Sequence, residues 1–76
     1  MITTKQGMIE YHNSRFAEAK KMSYAFTLNA GSPVLEAIMP EFYELNALYH
    51  STIVRILGGT PITYDGRGPL PEGVTV

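Results

Sequence analysis

The sequence predicts an all-α fold, an antiparallel two-helix hairpin with an irregular Pro/Gly-rich C-terminal tail, assembling into a helical bundle. Three observations carry that expectation. Residues 32–59 repeat apolar side chains at helical spacing between a Ser-Pro start and a Gly-Gly stop. The stretch before them has its own one-sided apolar pattern and is joined to them by a very short turn. Residues 60–76 then change character, with Pro61, Pro69, Pro71 and repeated glycine.

The first helix is expected over about residues 3–29. Thr3 or Thr4 can cap it, and Met8, Ile9, Phe16, Ala19, Met22 and Phe26 fall on one face. Gly7 weakens its first turn, since glycine costs ~1 kcal/mol relative to alanine inside a helix. Asn29-Ala30-Gly31-Ser32-Pro33 ends one helix and starts the next. So short a connection makes the helices antiparallel neighbours. Facing residue numbers should then add to about 61, which sets Phe26 on Leu35, Ala19 on Phe42, Phe16 on Leu45 and Met8 on Ile53, with Lys20 near Glu41.

The second helix is expected over about residues 33–58, capped by Ser32 with Pro33 in its first turn. Leu35, Ile38, Phe42, Leu45, Tyr49, Thr52 and Ile56 alternate three and four apart. Val34, Met39, Ile53 and Leu57 widen that stripe to roughly 140°. Pro40 lies inside it, which predicts a kink or a short helix abutting a longer one. Charge favours the hairpin. Residues 1–31 carry four cations against two carboxylates and residues 32–59 one against three. Exposed pairs contribute only ~0–1 kcal/mol each.

The tail, residues 60–76, is read as an extended segment distinct from the hairpin of residues 1–59. Asp65-Gly66 signals a turn, and Pro69 and Pro71 exclude a central strand. It is expected to pack across a neighbouring hairpin through Ile62, Tyr64 and Leu70.

Composition narrows the function classes. The chain has 76 residues, 45% hydrophobic and 17% charged, with a formal net charge of −1 and no cysteine. One globular domain follows. Disulfides and thiolate metal sites are excluded, no broad basic footprint for nucleic acid is present, and no apolar run approaches the ~18 residues of a membrane span. The N-terminus has no basic-then-apolar signal pattern, so a cytoplasmic protein is the default expectation. Domains under roughly 80 residues usually add disulfides, a metal or oligomerisation, and oligomerisation is favoured here. Phe42, Ile53, Leu57, Ile62, Tyr64 and Leu70 are the expected interface.

Polar residues at apolar positions mark a candidate site. Tyr11, His12 and Arg15 on the first helix and Asn46, Tyr49 and His50 on the second should form a layer across the seam. Arg15 should face Asn46, and His12 should face His50 or Tyr49. Arg15 then lacks a carboxylate partner, which costs several kcal/mol for a buried guanidinium. Either it snorkels to water, or another subunit supplies the carboxylate, or the layer binds a small anion such as a nucleotide or cyclic dinucleotide. No catalytic constellation appears, and Glu10/His12 and Glu44/His50 have the wrong spacing for a metal site. No cofactor is implied. In architecture alone such a hairpin resembles small oligomerising helical proteins among virion components, toxin–antitoxin partners and phage proteins that sequester nucleotide signals. The expectation is a non-enzymatic homo-oligomer, structural or inhibitory and of phage type. The alternative is an oligomer that sequesters a small anionic ligand.

Overall fold

The structure is a computed structural model of the chain and describes residues 1–75. It is an all-α helical hairpin, with helix α1 at Lys5–Leu28 packed along helix α2 at Pro33–Ile56 and no strand among the described residues. The caps follow from the sequence. Thr4 accepts the Gly7 N–H at 2.9 Å, and Ser32 accepts the Leu35 N–H at 3.2 Å, each satisfying a first-turn donor. At the far end Gly58 takes φ +81°, the Gly59 N–H reaches the Val54 carbonyl, and the Gly58 N–H reaches that of Arg55. This paired closure needs a residue that tolerates the left-handed region, which is why glycine follows the helix. Pro40 does not divide α2 into two helices, as the sequence allowed; α2 is one helical segment from Pro33 to Ile56.

The seam differs from the expected one. Its buried positions are His12, Ala19 and Ser23 on α1 and Ala47, Ser51 and Val54 on α2, mostly small; Ala17 is buried on the side of α1 that carries Asn13 and Tyr24. Facing pairs are His12 with His50, Ser23 with Pro40 and Lys20 with Glu44. Lys20 therefore meets Glu44, at 2.9 Å, and not Glu41. Phe26 stacks on Tyr43, with ring centroids 5.7 Å apart, and not on Leu35. Phe42 and Leu45, expected against Ala19 and Phe16, are 53% and 62% exposed. Small side chains let the two backbones approach closely, and the bulky stripe of α2 has rotated outward in exchange.

The tail forms a third layer on its own hairpin. It leaves α2 at Gly59, where an added Cβ would lie 2.8 Å from Ile9. Asn13 then clamps it. Its Nδ2 donates to the Thr60 carbonyl at 3.3 Å, and its Oδ1 accepts the Ile62 N–H at 3.2 Å. Tyr64 is buried, and its hydroxyl donates to the Gly68 carbonyl at 3.0 Å. At Gly66, φ +89°, the backbone lies so close to α1 that a Cβ would collide with the Lys20 carbonyl. Arg67 follows with its guanidinium 5.2 Å from the centre of the Tyr24 ring. The chain then turns back, bringing Val74 and Thr75 beside Glu10, Asn13 and Ser14.

Candidate functional site: the histidine layer and the outer face of α2

The polar layer forms around two rings. His12 Nδ1 and His50 Nδ1 are 2.8 Å apart, so one ring donates its Nδ1–H to the lone pair of the other. His12 is buried and His50 half-buried. Tyr11 meets His12 edge-on at 5.1 Å, and Tyr49 meets His50 edge-on at 5.0 Å. Burial, then the positive charges of His12 and Arg15, push the His50 pKa below the ordinary imidazole value, with Glu18 opposing them. If both rings were protonated, two N–H groups would point at each other across 2.8 Å.

Arg15 is not the unpartnered buried cation that the sequence suggested. Its guanidinium lies 3.0 Å from the Glu18 carboxylate, with both side chains 44% exposed. The partner comes from one turn along the same helix, and solvent carries the remaining donors. Asn46 is half-buried on α2. Tyr11, 44% exposed, and Tyr49, 59% exposed, flank the layer where it reaches the surface. Ile53 and Leu57 are half-buried, and Ile62 and Leu70 lie half-buried in the tail. Sequence reasoning missed Asn13. Its signal was available, a short amide on the α1 face beside Ile9, but nothing in a single sequence says which strand of backbone it will clamp.

The other prominent feature is apolar. Leu35, Ile38, Phe42, Leu45, Tyr49 and Ile56 are between 40% and 74% exposed. At ~100° per residue they centre roughly opposite the buried set Ala47, Ser51 and Val54. Thus α2 has two apolar faces, one on α1 and one on solvent. A shallow hollow of about 250 Å³ between Ile38, Glu41, Phe42 and Leu45 lies on the outer face. Two further clefts, about 360 and 550 Å³, run beside the tail and are not lined by His12, Arg15 or His50. Among the described residues no three His, Asp or Glu side chains come together as metal ligands. No helix there is long and apolar enough to cross a membrane. Comparison with protein-family models, curated proteins and solved structures gives no match to the chain.

Proposed function

We propose that this chain is a small non-enzymatic interaction protein whose working unit is a homo-oligomer of hairpins, structural or inhibitory in role. One observation carries the reading: the packing of the single chain is inverted. Its seam is built from alanine, serine, one valine and the His12–His50 pair, while leucine, isoleucine and phenylalanine face water on α2. Fully burying such a side chain contributes about 1.5–3 kcal/mol, so Leu35, Ile38, Phe42, Leu45, Ile56 and Tyr49, 40–74% exposed on one stripe, leave roughly 5–10 kcal/mol of driving force unused. Soluble monomers rarely leave so continuous an apolar strip uncovered. Sedimentation or light scattering should return a mass that is a multiple of 8.4 kDa at micromolar concentration. A stable monomer would overturn the reading.

A second reading is supported by the histidine layer. His12, His50 and Arg15 lie side by side with two tyrosines at the rim, a set that suits a small anion carrying an aromatic base, such as a nucleotide or cyclic dinucleotide. A thermal-shift series with these compounds tests it. At 100 times its dissociation constant a ligand adds ~2.7 kcal/mol of stability, and no shift with any of them rules the reading out.

A further inference from the structure

We infer that α2 docks antiparallel on α2 of a second copy of this chain, Tyr49 of each copy seating in the hollow of the other. This rests on the oligomeric reading above and gives it a surface, an occupant and a direction. The hollow is the starting point. Ile38, Glu41, Phe42 and Leu45 stand at i, i+3, i+4 and i+7. That is the four-residue arrangement which receives a side-chain knob from a facing helix in coiled-coil packing. An occupant must therefore be a helix that presents apolar or aromatic knobs alternately three and four residues apart.

The stripe that contains the hollow meets this requirement itself. From Leu35 to Ile56 it steps three, four, three, four, three, four, and it reads almost the same from either end. Reversal about the point between Leu45 and Asn46 sends Leu35 to position 56 and Phe42 to position 49. Two antiparallel copies thus set Leu35 on Ile56 and Phe42 beside Tyr49, each twice, with Leu45 beside Leu45 at the centre. Tyr49 falls on the hollow of the other copy. The matched stretch, 35–56, is 22 residues, about 32 Å from end to end at ~1.5 Å per residue step.

The helix dipoles favour one direction. Antiparallel docking opposes the two macrodipoles, whereas parallel docking aligns them. Of the charged residues of α2 only Glu41 borders the stripe; Glu36, Glu44 and Arg55 lie toward the other side of the helix, and Glu44 is held by Lys20.

The chain has no cysteine, so an introduced thiol is the only one present. Leu35→Cys, Ile56→Cys and Leu45→Cys are prepared separately, oxidised and run on a non-reducing gel, with circular dichroism confirming helix content. The expected result is a covalent dimer from Leu45→Cys alone, and from Leu35→Cys mixed with Ile56→Cys, but none from either of those two alone. Self-crosslinking of Leu35→Cys overturns the direction, and failure of Leu45→Cys to crosslink overturns the register. In those cases an oligomeric mass for the wild type leaves the functional reading intact. A monomeric wild type with no crosslink in any sample overturns both.

Discussion

His50 gives the clearest residue-scale prediction. Its pKa is depressed in the folded state by burial and by the neighbouring charges of His12 and Arg15. The unfolded chain therefore binds more protons than the folded one, and stability rises with pH across that interval. Stability is complete above the ordinary imidazole value of ~6.5 and falls as the pH drops through and below it. Melting curves between pH 7.5 and 5 should show this loss, and His50→Gln should flatten it; an unchanged slope in the variant would remove His50 from the account. Arg15→Met should cost at most ~1 kcal/mol, because the pair with Glu18 is half-exposed and screened. A loss of 3 kcal/mol or more in chemical denaturation would mean that Arg15 has a partner beyond Glu18. Gly66→Ala should release the tail, since a left-handed residue with a side chain costs ~1–2 kcal/mol before its collision with Lys20 is counted. Faster hydrogen exchange at the Ile62 amide, now held by Asn13, is the measurement.

At the scale of the element, α2 explains both what the sequence disclosed and what it concealed. Its span, its Ser32 and Gly58 caps and its three-and-four stripe are properties of local spacing, so they are readable without a structure. The same reading placed His12 opposite His50 or Tyr49, and the structure pairs it with His50, because a short turn leaves little freedom in register. It did not reveal which apolar face of α2 meets α1. Periodicity ranks faces by bulk, and the bulkiest face of α2 is the outer one. The seam instead selects Ala19, Ser23, Ala47 and Val54, whose size permits close approach. A consequence is testable on the element alone. Leu45→Asp puts a charge at the middle of the outer stripe, 62% exposed in the single chain, so it should leave the hairpin helical while abolishing self-association. Unchanged mass by light scattering would mean that this stripe is not the contact.

At the scale of the whole molecule the question is why so small a chain folds with a core of alanines. Two helices of 24 residues with so little buried bulk have a weak seam, and the tail supplies what the seam lacks. It inserts Tyr64, 8% exposed, and ties itself to α1 through Asn13 and the close approach at Gly66. Pro61, Pro69 and Pro71 reduce the conformational freedom lost when this irregular segment orders. The tail and the outer stripe of α2 are thus different surfaces with different tasks, the first completing the hairpin and the second facing outward. Truncation after Gly59 separates them. Loss of Tyr64 burial alone removes about 2 kcal/mol. For a domain of this size that is a fall in melting temperature of about 8–16 °C. The truncated chain should still self-associate, since its outer stripe is intact. An unchanged melting temperature would contradict the tail as a third layer of the hairpin. Loss of the oligomer, with helix content retained, would mean that Ile62, Tyr64 and Leu70 also serve the contact between copies, as the sequence alone suggested.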